Sequence, residues 1–274
     1  MTNAALPSFI ALRPMDREKG YTFLVQPYHC VGPEHSMFLF GGTTLAVGIT
    51  ALETTCERPI VWASAQYLGP AHPGDELRLT VEVLREGKGI TLAETLVTSG
   101  SGPVATISAA LGAGRENDRQ QWRQAPDVPS PHELPVGQHR RMNHGLHAEM
   151  EIRVAQGRYG MGRVGRPEES GRLVFWIRTK RHRIEKSLLA VLADFVPGGV
   201  GNALGMNSGG RSLDNTLRWV AWAPTDWVLA DISISAVAEG LAHGDIALFA
   251  EDGTLLALGS QTLVVVHHDR QEQA

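Results

Sequence analysis

The sequence predicts an α+β fold made of two similar halves, and three observations point there. An apolar, small-residue-rich segment with helical character occurs twice, each time with glycines near one end. A run of short β-prone segments cut by tight turns follows each of them, and one polar, proline-rich stretch lies between the two sets. These features divide the 274 residues into a first unit at 1–113, a linker at 114–145 and a second unit at 146–274. The linker contains Ala-Pro-Asp-Val-Pro-Ser-Pro-His-Glu-Leu-Pro, whose prolines withhold backbone donors from any regular element.

In the first half, residues 38–56 form the helix candidate, with Gly41 and Gly42 near its start. Leu77, Leu79, Val81 and Val83 then alternate with Glu76, Arg78, Thr80 and Glu82. That period of two puts one face of a strand in a core and the other in water. Turns at residues 86–89 and 99–103 bound further strands around 91–97 and 104–111, completing an antiparallel meander.

In the second half, Ile184, Leu188, Val191 and Phe195 recur at helical spacing over residues 183–195, and Pro197-Gly198-Gly199 is expected to end that helix. Strands are expected at 213–223, 227–239, 245–250 and 254–266, separated by residues 224–226, 240–244 and 251–253. Trp219, Trp222 and Trp227 read as packing residues rather than recognition residues. A long apolar helix followed by an antiparallel sheet, twice over, requires each sheet to wrap its helix. Two copies can pair edge to edge into one continuous sheet, which removes an exposed edge from each. This is the hotdog plan, doubled.

Composition narrows the function. Apolar residues make up 43% and charged residues 20%, as in a globular protein, so a sizeable core is available. A net charge of −4 supplies no diffuse basic field for a phosphate backbone, which argues against nucleic acid as a partner. A few well-placed Lys or Arg side chains could still meet the phosphates of a small ligand. The first residues lack a basic n-region followed by an apolar h-region, and no apolar run is long enough to span a bilayer. A cytoplasmic location without a membrane partner is therefore expected. Cys30 and Cys56 match neither a zinc knuckle nor a redox pair and read as ordinary thiols. His132, His139, His144 and His147 lack the paired spacing of a zinc helix, so no metal is expected.

Four signatures resemble the thioesterase II branch of the acyl-CoA thioesterases, a double-hotdog family, along nearly the whole chain. They are Leu39-Phe40-Gly41-Gly42 with the later Leu84-Arg85-Glu86-Gly87-Lys88; Leu192-Ala193-Asp194-Phe195; Ser212-Leu213-Asp214-Asn215-Thr216 with Asp226-Trp227-Val228-Leu229; and Asp252-Gly253-Thr254-Leu255-Leu256-Ala257 running into Ser260-Gln261. The resemblance implies a catalytic Asp, a Ser or Thr and a Gln, which are Asp194, Ser212 and Gln261 here. It also implies an acyl-CoA substrate, no cofactor beyond the coenzyme A of that substrate, a place in fatty acid metabolism, and a homodimer. Two departures bear on substrate preference. Asn215 stands where the family usually has His, and the residues after Gln261 are Thr-Leu-Val-Val-Val where an Arg often follows.

Thioester hydrolysis needs a water aimed at the carbonyl, a group that takes its proton, and donors for the developing oxyanion. Asp194, on the flank of an apolar helix, is the expected base, since shelter raises a carboxylate's pKa. Ser212 and Gln261 would orient the water, although a Ser at a strand start and a Gln on an alternating strand also have ordinary structural roles. Gly41 and Gly42, at a helix N-terminus, are the substrate-contacting pair: their N–H groups could polarise the thioester oxygen, or they could serve only a tight turn. Asp214 is expected to bond neighbouring backbone. Without a Gly-x-Ser-x-Gly elbow, a serine nucleophile is disfavoured. Two alternatives stand beside the hydrolase: a non-catalytic acyl-CoA or acyl-lipid binding protein, and, less well supported, a hydratase of 2-enoyl thioesters. Acyl chain length, the thiol carrier and the choice between base and nucleophile for Asp194 are not encoded in any readable motif.

Overall fold

The computed structural model describes residues 6–15, 20–112, 120–137, 143–160 and 164–268. The first half contributes β1 (Arg13–Pro14), β2 (Gly20–Leu24), β3 (Cys30–Val31), β4 (Phe38–Leu39), α1 (Gly41–Cys56), β5 (Ile60–Tyr67), β6 (Glu76–Glu86), β7 (Thr91–Ser99) and β8 (Gly102–Leu111). The second contributes α2 (Gly145–Glu149), β9 (Met150–Gln156), β10 (Arg172–Thr179), α3 (Leu188–Ala193), α4 (Val196–Leu204), β11 (Ser208–Ser212), β12 (Asp214–Trp219), β13 (Val228–Ala238), β14 (Leu241–Ala250) and β15 (Leu255–His267).

All but β3 and β4 join one thirteen-stranded sheet, ordered β1-β2-β6-β7-β8-β5-β12-β15-β14-β13-β10-β9, with β11 beside β15. The halves meet where β5 pairs antiparallel with β12. Ser64 lies opposite Thr216 there, and their hydroxyls are 2.7 Å apart. The strand alternation is as expected: Leu77, Leu79 and Val81 are buried while Glu76, Arg78 and Thr80 are exposed. Val83 departs from the pattern, because an irregularity between Val83 and Arg85 turns the strand end and exposes it.

The sheet closes around α1, whose Leu45, Ala46, Val47, Ile49, Ala51 and Leu52 are fully buried. Gly48 makes this possible, since a β-carbon there would collide with Ile107 on β8. The helix starts three residues later than the sequence suggested. Phe38 and Leu39 instead pair with Val31 and Cys30 as a small ribbon.

The second helix differs more. Only Leu188–Ala193 is helical within 183–195, and Pro197-Gly198-Gly199 lies inside a further helix instead of ending one. Proline is tolerated in a first helical turn, where its missing N–H has no acceptor to lose. The glycines let α4 approach its neighbours: a β-carbon on Gly199 would lie 2.9 Å from Ile232, and one on Gly198 would lie 2.6 Å from Tyr159. The same contact explains a second correction. Gly244 is part of β14, not of a turn, because a β-carbon there would lie 2.7 Å from Val196 of α4. The actual turn is Glu239-Gly240, both at positive φ, which joins β13 and β14 as a two-residue hairpin loop.

Residues 120–137 of the expected linker form a strap over the outer face of the second half's sheet, while 113–119 and 138–142 lie outside the described residues. Ala125, Val128 and Leu134 pack on Val174, Trp176, Trp227, Leu229 and Phe249. The strap's backbone is tied down by Trp176 Nε1 donating to Pro129 O at 3.0 Å and Arg153 Nη1 donating to Pro131 O at 2.7 Å. Trp227 is buried as expected, under the guanidinium groups of Arg153 and Arg178 at 5.2 and 4.5 Å. Trp222, by contrast, keeps more than a third of its surface exposed, beyond the end of β12.

Candidate active site

The site forms where the start of α1 meets the end of α3, beneath the seam of the two halves. Glycine at both first positions of α1 lets α3 pack directly on its N-terminus: a β-carbon on Gly42 would lie 2.7 Å from Ala190 O and 2.7 Å from the Asp194 β-carbon. Asp194 occupies the C-cap of α3 and turns its carboxylate toward α1. Phe40, the N-cap of α1, offers no side-chain cap, and the Gly42 N–H donates instead to Asp194 Oδ2 at 2.5 Å. The anion therefore sits at the positive end of one helix while terminating another, which offsets the unfavourable dipole of its own helix.

Asp194 is 2% exposed. Its other oxygen, Oδ1, accepts hydrogen bonds from Gln261 Nε2 and, at a long 3.4 Å, from Ser212 Oγ. The three polar residues that the sequence singled out are thus brought together from α3, β11 and β15. Burial pushes the Asp194 pKa from its usual 3.8 up to about 7, against the opposing pull of the bonds from Gln261, Gly42 and Ser212. A carboxylate with that pKa is half ionised near neutrality, as a general base requires.

The two glycines separate in role. The Gly42 N–H is engaged by the carboxylate, which replaces the expectation that it serves the thioester oxygen. Gly41, at the first helical position, has no acceptor within its helix for its N–H. A β-carbon on Gly41 would lie 2.8 Å from Asp194 Oδ2, 2.8 Å from Tyr67 Cζ and 3.0 Å from Tyr67 Oη. Asp214 behaves as expected, its Oδ1 accepting from the Thr262 backbone N–H at 2.7 Å.

Sequence reasoning missed Tyr67, and noted Asn215 only as a departure from a family pattern. The Tyr67 hydroxyl is buried, and its pKa is held well above 10 by burial and by the charge of Asp194. Asn215 is 0% exposed and close enough to Tyr67 to oppose that rise, although no hydrogen bond of good geometry joins them. Aromatic side chains adjoin the carboxylate. Phe195 follows Asp194 in the chain and packs edge-on to Phe40, ring centroids 5.6 Å apart, and to Phe175 at 6.1 Å. Among the described residues no group of three or more His, Cys, Asp or Glu is placed to hold a metal ion; His139 lies outside them.

Family models of the acyl-CoA thioesterase N-terminal and C-terminal domains match residues 32–112 and 122–265. The chain therefore belongs to the acyl-CoA thioesterase family, and is a thioester hydrolase with a double-hotdog fold. A candidate thioesterase from Novosphingobium aromaticivorans is 32% identical, with 94% of this chain and 99% of that one covered at a TM-score of 0.82. A candidate thioesterase II from Thermobifida fusca is 15% identical over 96% and 99% of the two chains, at a TM-score of 0.80. The acyl-CoA thioesterase II TesB2 from Mycobacterium marinum is 17% identical over 94% and 97%, at 0.72. These last two likenesses speak for the fold. No curated protein matches the sequence. Among the described residues no helix is long and apolar enough to cross a membrane.

Proposed function

We propose that this protein hydrolyses acyl-CoA thioesters by direct attack of a water molecule, with Asp194 as general base. The observation that carries this reading is the buried carboxylate whose pKa lies near 7, held by Gly42, Gln261 and Ser212. Gln261 donates through Nε2 to Asp194, so its Oε1, which has no partner among the described residues, is the acceptor that orients the second proton of the water. Ser212, only loosely bonded to Oδ1, is free to turn its hydroxyl to the same water. As the water oxygen bonds to the carbonyl carbon, one proton passes to Asp194 and the carbonyl π electrons move onto oxygen. The Gly41 N–H, which has no acceptor in its own helix, stabilises that charge. Collapse restores the C=O bond, breaks the C–S bond, and sends its electron pair to sulfur. Asp194 then returns the proton to sulfur, giving the thiol and a free acid.

Asp194 as base is preferred to Asp194 as nucleophile because Gln261 and Ser212 have a chemical task only when a water is present. We assign a first unit to 1–113, a linker to 114–145 and a second unit to 146–274 from the sequence pattern, and a cytoplasmic homodimer working in fatty acid metabolism is the setting we assign from the family resemblance. The test is thiol release from saturated acyl-CoAs, acetyl to palmitoyl, by wild type and Asp194→Ala. Loss of about a hundredfold or more in a folded variant is expected for removal of a general base. Binding of acyl-CoA by wild type, with no thiol released from any member, would instead support a non-catalytic binding protein.

A further inference from the structure

Around Asp194 and Tyr67, four buried polar atoms have no hydrogen-bond partner among the described residues: Tyr67 Oη, Asn215 Nδ2 and Oδ1, and Gln261 Oε1. Buried polar groups are nearly always partnered, and a cluster of exceptions at one place marks where a ligand's own polar atoms complete the set. The fold assembles this cluster from both halves. Asn215 lies opposite Ala65 on β5, and Thr216 opposite Ser260 on β15. Continuing that register by one residue sets Asn215 opposite Gln261. Tyr67 is two residues along the same face of β5 from Ala65, and its N–H donates to Leu213 O at 3.0 Å across the seam. Its hydroxyl thereby reaches the N-terminus of α1, within 3.0 Å of where a Gly41 β-carbon would stand.

We infer that Tyr67 is a catalytic residue that donates its hydroxyl proton in a hydrogen bond to the thioester carbonyl oxygen, alongside the Gly41 N–H, and that Asn215 is the residue that positions it. The inference rests on the thioesterase reading above and adds a side-chain donor to its oxyanion site. An oxyanion donor has to keep its proton at working pH, and burial next to Asp194 ensures that for this phenol. Asn215 stands next to the phenol on the adjoining strand with its amide unpartnered among the described residues, so it is free to donate to Oη once substrate takes up the hydroxyl proton. With the Asn215 Nδ2 proton aimed at an Oη lone pair, the O–H bond is left for the substrate. Gln261 Oε1 and Asn215 Oδ1, both acceptors, then face the protons of the attacking water. The site so described has donors on one side for the oxygen that becomes negative, and acceptors on the other for the water that loses a proton.

A Tyr with a purely structural role and one with this role differ in a measurable way. Removing an unpartnered buried hydroxyl leaves a fold as stable as before, or more stable. The experiment compares wild type, Asp194→Asn, Tyr67→Phe, Asn215→Leu and the Tyr67→Phe/Asn215→Leu double variant on one acyl-CoA that wild type hydrolyses, with melting temperatures of each. Tyr67→Phe is expected to melt no lower than wild type, to keep KM, and to lose about a hundredfold in kcat. Asn215→Leu is expected to lose about tenfold in kcat, and the double variant no more than Tyr67→Phe alone, because Asn215 acts through Tyr67. Wild-type kcat in Tyr67→Phe, with Asp194→Asn inactive, overturns this inference and leaves the thioesterase reading intact. Full activity in Asp194→Asn, or no hydrolysis by wild type, overturns the reading itself and this inference with it.

Discussion

Ionising Asp194 works against folding, and the size of that effect follows from its surroundings. The carboxyl is 2% exposed, and its pKa is raised to about 7 from 3.8 chiefly by burial. Below pH 3.8 both folded and unfolded chains hold the proton. Between 3.8 and 7 the folded chain keeps a proton that the unfolded chain has released, so rising pH favours unfolding. Above 7 both are ionised and the effect levels off. The full cost is about 4 kcal/mol, of which about 3 kcal/mol accrue between pH 5 and pH 8. Asp194→Asn removes the titration. An amide offers one acceptor oxygen to donors that met two, so the variant's stability at a single pH does not isolate the carboxylate, but the pH dependence does. Urea unfolding midpoints and slopes of both proteins, measured from pH 5 to pH 8, give the comparison. Wild type is expected to lose about 3 kcal/mol relative to the variant across that range. Parallel curves, or a relative gain for wild type, would refute the account of Asp194 as a buried carboxyl with a raised pKa.

Other expectations follow from the same geometry. The rate of thioester hydrolysis is expected to rise through a midpoint near pH 7 to a plateau, with about 1% of the maximal rate at pH 5, as read by kcat against pH. Gly41→Ala is expected to abolish most activity, by about a hundredfold, because its β-carbon would lie 2.8 Å from both Asp194 Oδ2 and Tyr67 Cζ. It is also expected to cost about 1–3 kcal/mol in urea unfolding, because both groups in the way are buried and the first helical position gains little from alanine's propensity. Gly244→Ala is expected to cost about 1–3 kcal/mol in urea unfolding by overpacking β14 against Val196 and Ile234. Trp176→Phe removes the bond to Pro129 O and is expected to cost about 1 kcal/mol and to speed proteolysis within residues 120–137.

The parts of this fold that sequence reveals are those governed by local periodicity. Leu77, Leu79 and Val81 announce a strand because their neighbours are charged, and Gly41-Gly42 flags the start of a helix that something approaches closely. Features set by distant packing were not legible. Nothing in Val-Pro-Gly-Gly-Val-Gly suggests a helix, because those glycines are tolerated there only through the contacts of α4 with Ile232, Ile234 and Tyr159. Gly244 resembles a turn residue for the same reason. In the site, Asp194, Ser212 and Gln261 were visible through a family resemblance, and the structure brings all three together. Tyr67 carried no sequence signal, since a tyrosine ending a strand is ordinary. Its meaning depends on the β5–β12 seam, which places it beside residues from the other half of the chain.

Direct attack by water, with Asp194 taking only a proton, is the central claim, and a single turnover in 18O-labelled water tests it most directly. With enzyme in excess over acyl-CoA, the account expects one 18O atom in the released acid and none in the peptide that contains Asp194. An unlabelled first-turnover acid, with 18O found in the Asp194 carboxylate, would show that Asp194 itself attacked the thioester and would contradict it.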